Sequence, residues 1–332
     1  MRNLLLVVLV AVLGLPGVTS QAQEPEPREV TLFVSYIPSV QFAPLYVALE
    51  RGYFADEGLA VEVEHSFNEA DGVDRLAVND LQFGIISGEQ VLVGRAVGKP
   101  LVYVYEWFHN FPVGIVAPEA ANITTPEDLR GLTLGIPGPF GASFMGLQAL
   151  LAESEIDPLE LRLESIGFTA PEAVCTGLVD AAVVYISNEP LTIEQNCFSV
   201  SLIAISDYVE LISNGLVTNE TTLENEPDLV AGMVRAIQRG VLDTLADADA
   251  AFEISLEYVP DLPESEYATQ RQVLENSLAL WTSEQPGMTT LERWQRTLEA
   301  LEAADLILAE LSEDDLESAF TNVFIPVAEG SE

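Results

Sequence analysis

Aromatic side chains follow several of the predicted strands, in the loops where open α/β sheets bind their ligands. Two rings that enclose a flat heterocycle each add about 0.5–1.5 kcal/mol to binding beyond the area they bury. Core packing is the alternative for any one of these rings, but not for all of them together. The pattern therefore predicts a binding site for a planar ring. The candidates are Tyr36, Trp107, Phe108, Phe140 and Tyr185 in loops, with Phe42 and Tyr46 on the helix after the first strand.

Glutamates lie in the same set of loops. Glu89 follows Ser87 and Gly88 after the third predicted strand, and these three residues are binding candidates. Glu106 and Glu189 lie in two later loops, and no arginine lies in any of them. An anion bound among buried carboxylates would carry uncompensated like charge, which is costly. We therefore expect a neutral or cationic ligand, with a solvated loop charge as the alternative for each glutamate alone.

A glycine-containing loop at residues 138–143 connects a predicted strand to a helix. The first backbone N–H groups of a helix are free and carry partial positive charge, so they can donate to a ligand. Phe140, Gly141 and Ser143 of this loop are binding candidates for that reason. The two histidines, His65 and His109, lack the spacing of metal ligands, and no metal site is predicted.

Two consecutive runs of alternating strands and helices must position these loops. The pattern predicts two α/β lobes with largely parallel sheets, the second inserted into the first. From Asp228 onward the pattern is mostly helical, and these helices are expected to pack on the first lobe. The predicted strands lie at residues 30–35, 60–64, 83–87, 101–105 and 113–117, and, after a restart near residue 124, at 132–136, 161–166, 181–185 and 198–205.

Composition excludes several classes of protein. The 332 residues suffice for about two domains of roughly 150 residues each. Apolar residues make up 48% and charged residues 20%, which is typical of a chain with a buried core. The 13 basic and 53 acidic residues give a net charge of −40. Such a field repels nucleic acids and anionic membrane surfaces, so neither is an expected partner.

The N-terminus has the pattern of a secretory signal peptide over residues 1–22. Arg2 precedes an apolar run at residues 4–13, and small residues up to Ala22 offer a cleavage site. The run is shorter than the roughly 20 residues that span a bilayer, although a membrane anchor is the alternative. No cysteine follows it that could carry a lipid. The mature protein is expected in the periplasm or on the outer face of the cell membrane.

The chain has two cysteines, Cys175 and Cys197. Export makes a disulfide between them chemically possible, and a loop of about 20 residues closed in this way contributes on the order of 3 kcal/mol. Two buried thiols are the alternative, because spacing alone does not give the Cα separation. Neither cysteine has a histidine nearby, so a metal or nucleophile role is not expected.

A series of segments resembles the ABC-transporter substrate-binding proteins of the thiamine-pyrimidine, sulfonate and nitrate group. The likeness covers roughly residues 29–325, and it rests on the order and spacing of the segments together. Within the group it is closest to the riboflavin-binding proteins of RibXY-type vitamin importers, followed by the pyrimidine-binding proteins of thiamine synthesis. The segments are 42–48 (FAPLYVA), 51–54 (RGYF), 57–59 (EGL), 83–88 (FGIISG), 128–131 (DLRG), 177–181 (GLVDA) and Trp294.

The resemblance implies a type II periplasmic-binding-protein-like α/β fold, bilobal, with a hinge that closes on ligand. Lobe 1 would comprise residues 29–117 and 216–325, and lobe 2 residues 118–215, with crossings near 113–117 and 207–218. A monomer would deliver riboflavin to an ABC permease and its cytoplasmic ATPase. A thiamine pyrimidine precursor is the alternative ligand, then a sulfonate such as taurine, which in anion-binding relatives would lie at the 138–143 loop.

The resemblance also raises an enzymatic alternative. A related fungal group makes the thiamine pyrimidine from its own histidine and a lysine-bound pyridoxal phosphate, and it carries a cysteine-rich iron motif. This chain has a single lysine, Lys99, and two distant cysteines. We therefore predict no enzymatic activity, no catalytic residues and no cofactor, with a secreted enzyme on the same fold as the remaining alternative.

Overall fold

The computed structural model describes residues 26–66 and 68–326. The predicted signal peptide at residues 1–22 lies outside these ranges. Within them, no helix combines the length and apolar character that crossing a bilayer demands.

Ten strands form two five-stranded sheets in the described part of the chain. The strands are β1 (Arg28–Val34), β2 (Leu59–His65), β3 (Phe83–Ser87), β4 (Leu101–Glu106), β5 (Val113–Pro118), β6 (Thr133–Ile136), β7 (Arg162–Ser165), β8 (Ala181–Tyr185), β9 (Val200–Ala204) and β10 (Asn214–Asn219).

Helices cover both sheets. Across the two described ranges they are α1 (Ala43–Glu50), α2 (Tyr53–Asp56), α3 (Glu69–Ala77), α4 (Gly88–Arg95), α5 (Gly141–Glu153), α6 (Ala170–Cys175), α7 (Glu189–Asn196), α8 (Glu220–Asn225), α9 (Pro227–Ala246), α10 (Ala248–Tyr258), α11 (Tyr267–Trp281), α12 (Leu291–Ala303) and α13 (Glu313–Glu317).

Each sheet is parallel except for one strand. The first has the order β2-β1-β3-β10-β4, with β10 antiparallel to both neighbours. The second has the order β7-β6-β8-β5-β9, with β5 antiparallel to both neighbours. Each antiparallel strand is reached by a crossing from the other sheet, so each lobe receives one strand that runs against the rest.

The crossings lie a few residues from their predicted positions. Strand β5 belongs to the second sheet, so the first crossing is at residues 107–112 rather than 113–117. Strand β10 belongs to the first sheet, so the return lies at 205–213 and ends before residue 216. The apolar run at 113–117 is buried at every position, a pattern that fits a central strand of either sheet. The sequence therefore identified the strand but not its sheet.

Helices α9 and α10 pack on the first lobe, as the pattern predicted, whereas α12 packs on α5 of the second lobe as well as on α4 of the first. Helix α9 lies against α1 so closely that a Cβ on Gly240 would lie 2.1 Å from the carbonyl oxygen of Pro44. Tyr258 of α10 stacks on Tyr46 of α1 with ring centroids 4.7 Å apart. The last helix of the described residues, α13, is short and ends at Glu317.

A disulfide joins Cys175 to Cys197 in the second lobe, with the Cα atoms 5.9 Å apart. It ties the end of α6 to the residue that follows α7, both of which lie on the same side of the second sheet.

Removing this disulfide should lower the free energy of unfolding by about 3 kcal/mol, since the unfolded chain regains the freedom of a 22-residue loop. The test is urea unfolding of Cys175→Ser/Cys197→Ser against the oxidised protein. Adding a reductant to the wild type should reproduce the loss and leave the double variant unchanged. Equal midpoints for oxidised and reduced wild type would contradict the prediction.

Candidate functional site

A cavity lies between the two lobes, at the carboxyl ends of their parallel strands. It contains about 850 Å³ of space between protein atoms, including the part open to solvent. Val34 and Tyr36 enter it from the end of β1, and Tyr185 enters from the end of β8. Asn214 pairs with Ser87 at the carboxyl end of β3, so the antiparallel β10 also reaches this edge. Both sheets therefore contribute to one cleft.

Aromatic rings line the cleft from both lobes. Tyr36 of the first lobe meets Phe168 of the second edge-on, with centroids 4.9 Å apart. Phe108, from the first crossing, lies edge-on to Tyr185 at 6.4 Å. A planar ligand can stack between such groups. The aromatic lining consists of Tyr36, Phe42, Phe108, Phe140, Phe168 and Tyr185.

Hydrogen bonds also join the lobes across the cleft. Nε2 of Gln41 donates to the Ser187 hydroxyl at 3.1 Å, and Nδ2 of Asn188 donates to Oε1 of Gln41 at 3.3 Å. The Tyr185 hydroxyl donates to Oδ1 of Asn214 at 3.0 Å. The lobes are thus in direct contact, the arrangement expected of a closed cleft.

Glu69, the first residue of α3, is a cavity residue that sequence reasoning missed. The Ser87 backbone N–H and hydroxyl donate to its Oε1 at 2.7 and 2.9 Å. The backbone N–H of Ala142, in the other lobe, lies close to this carboxylate and lowers its pKa. Burial raises the pKa of Glu69 in spite of these bonds. A Cβ on Gly141, where φ is +70°, would lie 2.8 Å from Oε2, so only glycine allows this approach without strain.

Two further glutamates lie near Tyr185. Glu189 lines the cavity and accepts from the Tyr185 N–H at 3.0 Å, and burial raises its pKa to about 7. Glu89 lies fully buried beside the cavity, and neither of its carboxylate oxygens makes a well-aligned hydrogen bond. Burial, and then the charge of Glu69, raises the pKa of Glu89 to about 8. Glu89 is therefore mainly protonated and neutral at pH 7.

The polar lining can donate and accept hydrogen bonds but offers no positive side chain. Among residues 26–66 and 68–326, no lysine, arginine or histidine lines the cavity. The hydroxyls of Tyr36 and Ser143 and the amide of Gln41 can donate, and the carboxylates can accept. Within the same ranges no cluster of three potential metal ligands occurs. The site suits a flat ring that carries both donors and acceptors.

The structure brings eight of the candidate residues together at the cavity. They are Tyr36, Phe42, Phe108, Phe140, Gly141, Ser143, Tyr185 and Glu189.

The other five candidates do not line it. Trp107 is 1% exposed, edge-on to Phe42 and Trp281 in the core, so it lies one ring behind the cavity wall. Tyr46 is stacked on Tyr258. Ser87 is occupied with Glu69, and Gly88 packs against Ile212, whose Cγ2 would lie 2.2 Å from a Cβ there. Glu89 is enclosed next to them.

Glu106 is likewise not free in the cleft. It is buried, and it pairs with Arg293 and with Nδ1 of His109 at 2.8 Å. No sequence pattern indicates this pairing, because Arg293 lies on α12, far along the chain.

The lining residues that were not among the candidates include Gln41, Glu69, Phe168 and Asn214. The strand-end rule would have found two of them, since Glu69 follows β2 and Phe168 follows β7. Asn214 opens an antiparallel strand, to which that rule does not apply, and Gln41 precedes α1 without a motif.

Comparison with known proteins places the chain among relatives of one family. Residues 39–251 match the family described as NMT1/THI5 like. The chain is 36% identical to the riboflavin-binding protein RibY of Chloroflexus aurantiacus, over 98% of this chain and 96% of that protein. It is 26% identical to the formylaminopyrimidine-binding protein of Halalkalibacterium halodurans, over 95% and 98%.

Enzymes and solved structures also match. The 4-amino-5-hydroxymethyl-2-methylpyrimidine phosphate synthase of Legionella pneumophila is 24% identical, over 70% of this chain and 74% of that enzyme. The alkanesulfonate-binding protein SsuA of Xanthomonas axonopodis pv. citri, solved with bound MOPS, is 16% identical with a TM-score of 0.70, over 90% of this chain and 99% of that one. The likeness to SsuA shows the fold alone, which is that of the bilobal periplasmic binding proteins.

Proposed function

The chain belongs to the NMT1/THI5-like family, and from this premise we propose that it is the extracytoplasmic substrate-binding component of an ABC importer that binds riboflavin. The observation that carries the proposal is the lining of the interlobe cavity. Six aromatic side chains from both lobes face a space without a cationic side chain in the described residues. A neutral tricyclic ring fits that lining better than a sulfonate or a phosphate does.

The hydrogen-bonding groups of the cavity match the edge of a flavin. Its ring carbonyls would accept from Gln41 and from the Ser143 hydroxyl. Its ring N–H and the hydroxyls of its ribityl chain would donate to Glu189 and Asn214. The ring itself would stack against Tyr36, and the other lining candidates would enclose it.

A thiamine-type pyrimidine is the second candidate, because the full-length formylaminopyrimidine-binding relative shares the fold and the family. Six lining aromatics exceed what one small ring can contact, which favours the flavin.

Binding is favoured over catalysis by the positions of the groups that an enzyme of this family would need. Lys99 pairs with Asp74 at 2.6 Å, outside the cavity. His65 contacts the Tyr36 carbonyl through Nδ1, and His109 contacts Glu106. Neither imidazole lines the cavity, so the residues that line it can hold a ligand but have no lysine or histidine with which to transform it.

The wider proposal concerns location, partners and lobes. The apolar N-terminal segment supports export, and the riboflavin-binding relative supports delivery to a permease with a cytoplasmic ATPase. We propose a monomer whose lobes follow sheet membership, residues 28–106 with 214–325 and residues 113–204.

The test is a titration of the purified mature protein with riboflavin, a formylaminopyrimidine and taurine. Riboflavin fluorescence should be quenched saturably, because stacked tyrosine transfers an electron to the excited flavin, and calorimetry should give a single site. Tight pyrimidine binding without a riboflavin response would identify the pyrimidine, and not riboflavin, as the ligand. Tight taurine binding would contradict the argument that a cavity without cationic side chains excludes anions. Release of a chemically altered ligand would indicate an enzyme.

Tyr36→Ala should weaken riboflavin binding by about 1–3 kcal/mol, which is roughly 5- to 150-fold in Kd, because a ring in contact with the ligand is lost. Tyr36→Phe keeps the ring and should lose less than Tyr36→Ala. Fluorescence titration of the three proteins measures the difference.

The matched control is Tyr258→Ala, which removes a tyrosine of the same lobe that lies away from the cavity. Its riboflavin affinity should equal that of the wild type. Equal affinities of Tyr36→Ala and Tyr258→Ala would remove Tyr36 from the site.

A further inference from the structure

Helix starts converge on the interlobe cleft. Helices α3, α4 and α5 begin at Glu69, Gly88 and Gly141. The first N–H groups of a helix have no partner within it, and they carry the positive end of its dipole. Neither α4 nor α5 has a cap from the side chain of its own N-cap residue. The starts of these two helices must therefore find an acceptor elsewhere.

The Glu69 carboxylate lies at the start of both helices. Its Oε1 accepts from the backbone N–H of Ser87, the N-cap of α4, at 2.7 Å. The N–H of Ala142, in the first turn of α5, lies close to the same carboxylate, and a Cβ on Gly141 would lie 2.8 Å from its Oε2. Glu69 is 5% exposed, and the glycine at position 141 leaves room for it. One carboxylate of the first lobe thus occupies the start of a helix in the second.

We propose that Glu69 determines ligand specificity as a built-in anion, which fills the helix starts of the cleft and so excludes anionic ligands. The inference deepens the proposed function and rests on it for the identity of the neutral ligand. A bound sulfonate or phosphate would have to displace a carboxylate that accepts two hydrogen bonds from Ser87 and lies against the first turn of α5. It would then share the cleft with that displaced charge and with Glu189. A neutral ring leaves Glu69 in place and meets neither cost.

The experiment compares Glu69→Gln with Asp71→Asn in the full mature chain. Asp71 lies in the first turn of the same helix with a side chain that is 53% exposed, so the control makes the same change in net charge outside the cleft. The probes are riboflavin, followed by fluorescence quenching, and methanesulfonate, followed by the thermal midpoint. Methanesulfonate carries the anionic group without a ring.

Glu69→Gln should bind methanesulfonate saturably and at least tenfold more tightly than Asp71→Asn, which should behave as the wild type. The ratio of riboflavin to methanesulfonate affinity should fall by the same factor. A purely structural role of Glu69 would lower the thermal midpoint without changing that ratio. Equal methanesulfonate affinities in the two variants would overturn the proposal.

Glu69→Asp keeps the charge but withdraws it by one methylene from Ala142, so it should admit methanesulfonate with intermediate affinity. If Glu69→Gln does not fold, Glu69→Asp provides the test. A methanesulfonate affinity of Glu69→Asp as low as that of the wild type would then overturn the inference. If no protein of the series binds riboflavin while Glu69→Gln gains methanesulfonate, the proposed ligand is wrong and the role of Glu69 stands.

Discussion

Glu89→Gln should stabilise the protein at pH 8 and should flatten the dependence of its stability on pH. Burial raises the pKa of Glu89 to about 8, from an ordinary value of 4.5. Between these two values the native state holds a proton that the unfolded chain has lost. The free energy of unfolding therefore falls as the pH rises from about 4.5 to about 8. Glutamine is neutral throughout, so the variant should not show this part of the loss.

At pH 8 the free energy of unfolding of Glu89→Gln should exceed that of the wild type by at most about 5 kcal/mol, since one pKa unit corresponds to about 1.4 kcal/mol. At pH 4.5 the glutamate is protonated in the native state, and the variant should there be close to the wild type. Glu189, whose pKa is raised to about 7, acts in the same direction. In Glu89→Gln the free energy of unfolding should therefore still fall as the pH rises to about 7, but less steeply than in the wild type.

The measurement is urea unfolding at intervals from pH 4.5 to pH 8.5. Glu224→Gln, a change at an exposed glutamate of α8, makes the same charge change as a control and should follow the wild-type profile. A Glu89→Gln profile that parallels the wild type over the whole range would mean that Glu89 is ionised in the native state.

Arg293→Met should destabilise the protein by about 3–5 kcal/mol, because it leaves the carboxylate of Glu106 buried without its ionic partner. Glu106 is 4% exposed, and Arg293 pairs with it directly. Arg293 also donates to the His109 carbonyl at 2.6 Å and to Glu210 at 3.1 Å. His109 lies in the first crossing and Glu210 in the second, so one guanidinium holds both connections between the lobes.

Arg296→Met is the matched control for this prediction. Arg296 lies on the same helix and contacts Glu210 and Glu292, but its side chain is 54% exposed, so its loss should cost at most about 1 kcal/mol. Arg293→Met/Glu106→Gln should recover part of the stability, since it removes the unpaired charge. Urea midpoints of the four proteins test this, and equal losses at 293 and 296 would contradict it.

The lobed architecture was predictable because it depends on periodicity, which is local. The restart near residue 124 and the helical pattern after residue 228 correspond to the second sheet and to the helices that return to the first lobe. Helix α7 was not predicted, because it is short and begins with Glu189-Pro190 directly after a loop. The sheet to which β5 belongs depends on long-range pairing with β8 and β9, which a buried apolar run does not encode.

The site was predictable only as far as the strand-end rule reaches. It placed Tyr36, Phe140 and Tyr185 at the cavity, but the same rule selected Trp107 and Glu106, which have partners inside the protein. Those partners, Trp281 and Arg293, lie on α11 and α12, and a single sequence does not show such pairings. Whether a loop side chain faces ligand or core was thus decided by distant residues.

The tryptophans make the protein its own optical reporter. All three in the sequence, Trp107, Trp281 and Trp294, are at most 2% exposed. Trp107 and Trp281 contact the cavity residues Phe42 and Phe108, with centroids 6.3 and 5.8 Å apart. Trp294 instead stacks on Phe320. Emission from the first two would therefore register cleft occupancy through a single intervening ring, against a constant background from the third, with no dye attached.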